Sequence, residues 1–209
     1  MGKKLLLIGG GGHCHSVLDS VLSLSEYDEI GIIDTIDSSY LGVSVIGVDE
    51  DIQRLFNEGW TDAFITVGSV GDTAIRRKLY KMVKKIGLTL PTIIDPSAII
   101  GNSVTVGEGS FVGKMAVVNA GSSVGVCAII NTGAILEHDC TVGNFTHISP
   151  GAVLCGQVSV GGDSHVGAGS TVKQLIKVGE NCLIGAGSVV VKDIPFGVKA
   201  YGNPCKVVE

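Results

Sequence analysis

No uninterrupted apolar run in this chain approaches the roughly 20 residues of a membrane-crossing helix, although its mean hydropathy is +0.45. The basic start Met1-Gly-Lys-Lys4 is followed by only four apolar residues, Leu5 to Ile8, short of the roughly 7–15 in a signal peptide. A basic cluster is also lacking. Lys and Arg number 15 against 20 Asp and Glu, a net charge of −5, so no nucleic-acid partner is expected. Aromatic residues make up 5% of the chain, and there are only 5 prolines, which excludes a Pro-rich disordered polymer. None of the six cysteines forms a C-x-x-C pair or a zinc spacing. They are expected to be small buried thiols in a reducing, cytoplasmic setting.

Glycine is abundant, 31 of 209 residues, without the G-X-Y period of collagen. The rest of the hydrophobicity is periodic. Stepping by six from Ile94 through Ile100, Val106, Val112 and onward to Ile184 and Val190 meets Ile, Leu or Val at all 17 positions, with no insertion. A second column of small residues lies two places earlier: Ala98, Ser110, Ala116, Ser122, Ala128, Ala134, Cys140, Ala152. Residues two apart on a strand share a face, so both columns point inward. Glycine often follows the aliphatic residue, as at 101, 107, 113, 125 and 143, and glycine or Asn is expected to supply the positive φ of a corner. Each hexad is then a short strand and a turn, and only stacked coils bury the aliphatic column.

Residues 1–92 follow another pattern. Lys3–Gly9 reads as a buried strand ending in Gly9-Gly-Gly-Gly12, followed by a helix through about Ser25. Glu29–Asp34 forms a second strand ending in an acid, Asp49 caps a helix through about Asn57, Asp62–Gly68 is a third strand, and Asp72 opens a helix to Lys85. Strand, glycine turn, helix and strand ending in Asp make half of a mononucleotide-binding unit, and the free N–H groups of a helix start suit phosphate. The fingerprint Gly9-x-Gly11-x-x-Cys14 lacks its third glycine, and the unit stops after about three strands. Half a dinucleotide, a nucleoside diphosphate, fits better than NAD. A tight turn with no ligand is the competing reading. Leu88–Asp95, bracketed by Pro91 and Pro96, joins this part to the first coil.

Five histidines are available: His13, His15, His138, His147 and His165. His138 falls at an outward corner in Leu136-Glu-His-Asp-Cys-Thr141. A histidine with a carboxylate beside it is equipped to act as a general base, against the alternative of a solvated corner. His165 follows His147 by 18 residues, one coil along. Two histidines without acidic neighbours do not make a metal site, and none is expected.

The layout resembles the bacterial nucleotide-sugar acetyltransferases that include the UDP-4-amino-sugar N-acetyltransferase of the bacillosamine pathway, with their sialic acid O-acetyltransferase relatives. The resemblance rests on Gly9–His13, Ile33-Asp34, Phe64–Gly68, Ile93–Ala98, Asn131-Thr132, Glu137-His138-Asp139, His147 and Gly202-Asn-Pro-Cys-Lys206. It implies a Rossmann-like α/β nucleotide-sugar-binding domain over 1–92. Over 93–209 it implies a left-handed parallel β-helix of three hexads per coil with a C-terminal cap. It makes His138 the general base and Asp139 the carboxylate that raises its basicity. Asn131 would help place the acceptor, and Gly11, Gly12, His13, Asp34, Thr35 and Gly68 would form the nucleotide-sugar site. His147, Ala168 and Ala186 would contact acetyl-CoA. The family works as a homotrimer with its site between two β-helices, and no insertion between 94 and 190 offers a lid instead. Asp139 stands where the bacillosamine enzyme has Glu, Cys14 where Gly is usual, and Asp95 where His often precedes the proline.

The implied activity is transfer of acetyl from acetyl-CoA to the amino group of a nucleotide-activated sugar, directly in a ternary complex. O-acetylation of a sialic acid or another sugar hydroxyl is the alternative. A zinc hydro-lyase on the same helix needs three converging histidines, which the 138/147/165 spacing does not supply. A non-catalytic assembly module leaves Glu137-His138-Asp139 in register without a purpose.

Overall fold

The structure, a computed structural model, describes residues 2–36 and 38–208. The chain opens with β1 (Lys4–Ile8), α1 (Gly12–Leu24), β2 (Glu29–Ile33), β3 (Ser39–Tyr40) and β4 (Val43–Gly47). After a short 3-10 turn follow α2 (Ile52–Asn57), β5 (Asp62–Ile65) and α3 (Ala74–Ile86). The sheet order is β3-β4-β2-β1-β5, parallel except for β3. Five strands stand where about three were expected. The extra pair is the β3–β4 hairpin, which turns through Leu41 (φ 49°) and Gly42 (φ 81°), the two positive φ values that match the twist of a tight hairpin. The third strand ends at Ile65 rather than Gly68. The last helix begins at Ala74, with Asp72 accepting the Ala74 N–H.

From Ile93 the chain winds into a left-handed parallel β-helix of two-residue strands. Each strand pairs with the one 18 residues on, as in Ile99↔Val117↔Ile135↔Val153↔Thr171↔Val189. Three hexads therefore make one coil, and coils stack at the strand spacing of about 4.8 Å. The aliphatic column is buried from Val112 to Val190, with Ala116, Ala128, Ala134, Cys140 and Ala152 wholly enclosed beside it.

Three faces result. The seam face runs from Ile93–Ile94 through Phe111–Val112, Ile129–Ile130, His147–Ile148 and His165–Val166 to Leu183–Ile184. Its outward Ile93, Phe111 and Ile129 are buried against Leu5, Leu7, Phe64 and Val17 of the α/β layer. The apolar face shows Ile99, Val117, Ile135 and Val153, and the polar face shows Thr105, Ser123, Thr141, Ser159 and Lys177.

The corner expectation holds in part. Positive φ falls three residues after the aliphatic position, on glycine at 109, 121, 133, 151, 169 and 187 and on Asn181, but also on larger side chains: Met115, Cys127, Asp139, Phe145, Gln157, Asp163 and Leu175. That conformation aims each N–H at the previous coil, as in Asp139 N–H to Ala120 O (3.0 Å) and Gln157 N–H to His138 O (2.9 Å). The bond offsets a left-handed penalty of about 1–2 kcal/mol. The glycine right after the aliphatic residue serves close approach instead. A Cβ on Gly161 or Gly167 would lie 2.5 Å from the backbone N of Glu180 or Ala186 in the next coil.

Candidate active site

His138 and Asp139 occupy the turn between the apolar and polar faces, with side chains 57% and 58% exposed. His138 Nδ1 lies 2.9 Å from Asp139 Oδ2, so the carboxylate holds the proton on Nδ1 and leaves Nε2 with its lone pair outward. The ring leans over the backbone of Gly156, one coil on, where any Cβ would overlap it. A groove of about 300 Å³ begins there and continues along Cys155, Gln157, Gln174 and Leu175.

His147 lies elsewhere, on the seam face. Its Nδ1 donates to Ser69 O (2.9 Å), and its Nε2 accepts from the Asn131 amide (3.0 Å). Asn131 Oδ1 in turn accepts the Thr132 N–H. Burial drives the His147 ring down to about 4, with His165 and Arg76 adding to the shift against the Ser69 bond. His165 pairs in register with His147, their rings edge-to-face at 4.9 Å, and its Nε2 lies 3.1 Å from Ser149 Oγ. His13 presses its ring edge on Phe111. Burial, then Arg76 and His147, lower it to about 3. Arg76, 2% exposed, donates to Ser69 Oγ and to the carbonyls of Phe145 and Cys127. Among the described residues, no group of three or more His, Cys, Asp or Glu is placed to hold a metal. All six cysteines are free.

At the carboxyl ends of β1 and β2, Asp34 accepts the Gly10 N–H (2.5 Å) and the Ile36 N–H (3.1 Å). These bonds hold its carboxyl below the usual range. Gly11 and Gly12 begin α1 with no side-chain cap and no acid in the first turn, and a Cβ on either would meet nothing. That leaves N–H groups and open space for an anion. Beside them a cavity of about 520 Å³ is lined by Gly9, Asp34, Thr35 and Val67, at the crevice where β1 is flanked by both β2 and β5. Gly68 follows β5 and faces the His13 Cβ.

Gly11, Gly12, His13, Asp34, Thr35 and Gly68 therefore converge. Asn131 and His147 join them at the seam, and Ala168 and Ala186 stack below on the seam–apolar corner. His138 and Asp139 do not join. They occupy the opposite corner of the apolar face, one hexad away, roughly 15–20 Å at about 3.3 Å per residue. Asn131, expected to help place the acceptor, bonds to His147. Ser69 and Arg76 escaped the sequence reading because no local signal marks a loop serine or a helical arginine as buried.

A hexad β-helix with a carboxylate-held corner histidine, beside an α/β crevice with an open helix start, is an acyltransferase architecture shared with known acetyltransferases. A profile described as the PglD N-terminal domain matches residues 4–83. The acetyltransferase domain of PglB from Neisseria gonorrhoeae superposes with a TM-score of 0.93 at 37% identity, covering 99% of this chain and 100% of that one. PerB, the perosamine N-acetyltransferase of Caulobacter crescentus solved with CoA and GDP-perosamine, gives 0.93 at 37%, covering 99% and 97%. WeeI from Acinetobacter baumannii, at 21% identity and 0.85, shares the fold. No match was found among curated proteins. This chain belongs to the family of the PglB acetyltransferase domain and PerB, the nucleotide-sugar N-acetyltransferases.

Proposed function

We propose that the protein moves an acetyl group from acetyl-CoA to the amine of a nucleotide-activated amino sugar, with His138 as general base. The observation that carries this is the His138–Asp139 pair, Nδ1 held and Nε2 open over Gly156. A thioester is already activated, so the demand falls on the amine, and a placed imidazole supplies about 10²–10⁴-fold. His138 Nε2 takes the proton that the amine loses as its C–N bond forms and the C–S bond breaks. The same proton can then be returned to the departing sulfur. Asp139 keeps the ring in the productive tautomer throughout.

Asp34 and Thr35 hold the nucleoside end, and the N–H groups of Gly11, Gly12 and His13 take its diphosphate, with Gly68 closing that side. His147, Ala168 and Ala186 lie along the seam–apolar corner and face acetyl-CoA, with Asn131 beside His147 helping to place the acceptor. These residues and His138 sit on opposite corners of one chain, so the site is completed by a neighbouring copy in a homotrimer. The 1–92 part serves as the nucleotide-sugar domain and 93–209 as the acetyl-transferring one. Among the described residues no helix is long and apolar enough to cross a membrane, and the reaction is assigned to the cytoplasm, whose reducing setting matches six free thiols.

A thiol-release assay with acetyl-CoA tests this against UDP- and GDP-linked 4-amino sugars and free and CMP-linked sialic acids. Turnover is expected with a nucleotide-linked amino sugar. His138→Ala should lower kcat by about 10²–10⁴-fold with acetyl-CoA binding intact. Turnover with sialic acids alone would replace the acceptor, and equal loss of binding and rate would remove His138 from the role of base.

A further inference from the structure

Two residues beyond His13 on α1, a cleft of about 270 Å³ opens toward the seam–apolar corner. His15 and Asp19 of α1, Tyr40 of the hairpin, Phe111, and Lys114 and Thr132 on successive turns of that corner line it. Neither the nucleotide crevice nor the His138 groove includes any of these side chains. We propose that this cleft seats the sugar ring of the acceptor, and that the stacked His15–Tyr40 pair is the wall that selects which sugar fits.

The inference rests on the nucleotide-sugar reading above and deepens it. Position is the first argument. The cleft lies between the α1 start, where the diphosphate is assigned, and Thr132, whose N–H is bound by Asn131 next to His147. A group linking a diphosphate to the acetyl-bearing corner has to cross this space. Size is the second. At about 270 Å³ the cleft falls just below the range of roughly 300–1,000 Å³ for drug-sized ligands, which suits one monosaccharide and leaves no room for a nucleotide as well.

Preorganisation is the third argument. His15 and Tyr40 stack at 3.8 Å with their planes 13° apart, so each fixes the other. The Lys114 ammonium is held by Asp19 (2.9 Å) and Asp95 (3.3 Å). Asp95 is 2% exposed and further held by Ser20 and Ser97. Donors and acceptors fixed in this way read hydroxyl and amine positions on a ring.

The test uses the full-length enzyme, the best nucleotide-linked amino sugar of the panel above, and UDP and GDP as sugar-free competitors. Tyr40→Leu removes one wall. Thr132→Val alters the opposite wall on the rigid β-helix and leaves the hairpin untouched. For both variants, KM for the nucleotide sugar should rise about tenfold. The inhibition constant of the nucleoside diphosphate and KM for acetyl-CoA should stay within twofold, and the preference between two amino sugars should shift. A parallel rise in the diphosphate constant would assign the cleft to the nucleotide and overturn the proposal. So would unchanged constants in both variants of a wild type that turns over. A wild type inactive on every nucleotide sugar would fail the acetyltransferase reading itself, and this inference with it.

Discussion

At the corner that carries His138, the neighbour that decides its orientation has no side chain. Gly156 has no positive φ, so an alanine is allowed there by the backbone, yet its Cβ would overlap the imidazole. Gly156→Ala should therefore leave the melting temperature nearly unchanged while kcat falls about 10–100-fold, as expected when a catalytic group moves by about 1 Å. Steady-state kinetics beside a thermal melt checks this, and an unaltered kcat would mean the ring is placed by Asp139 alone. Asp139 itself shows what a local reading can and cannot supply. Glu137-His138-Asp139 in register marked the corner as polar. That Asp139 is in the left-handed region (φ 58°), turning its carboxylate back to Nδ1, depends on the Ala120 carbonyl of the preceding coil.

Among the elements, the seam between the α/β layer and the β-helix carries the pH dependence. His13 and His147 are neutral in the folded protein, lowered to about 3 and about 4, against about 6.5 in an unfolded chain. Between those values the unfolded state binds more protons, so stability rises with pH and is lost as pH falls through 6.5 toward 4. The upper bound is about 1.4 kcal/mol per pH unit for each histidine. The seam's anchors outlast this window. Arg77 holds Asp163 through two bonds while Thr73 donates to the same carboxylate, and Asp163 stays below the usual range. Urea unfolding at pH 7 and pH 5 should show a loss of about 2–4 kcal/mol, and His147→Gln should reduce it. Equal stability at the two pH values would show that neither ring is held neutral by the fold.

For the whole molecule, the separation of His138 from the seam–apolar corner predicts complementation. Ala168→Trp blocks one half of the proposed site and His138→Ala removes the other. Each variant alone should be nearly inactive. Refolded together in equal amounts, they should regain about a quarter of wild-type activity, since a ring of heterologous contacts pairs an intact corner with an intact base at about one interface in four. A site contained in one chain would regain nothing, because every chain would carry one defect.

The hexad column by itself determined the stacked coils of short strands and the outward place of His138, because a period of six repeats one local geometry. Three hexads per coil was implied by the family resemblance, and the 18-residue strand register bears it out. The first glycine turn and Asp34 were equally legible, as a strand ending in glycine and a strand ending in acid. The tertiary structure alone decided which glycines are needed for close approach, since that depends on the next coil's backbone. It also decided the β3–β4 hairpin, whose first strand has only two residues and whose Leu41-Gly42 turn lacks the Asn-Gly or Asp-Gly signal of a tight hairpin. Most of all, it decided the seam. Ser69 reaches His147 across 78 residues and Arg76 reaches Phe145 across 69, contacts made only when two separately patterned parts fold against each other.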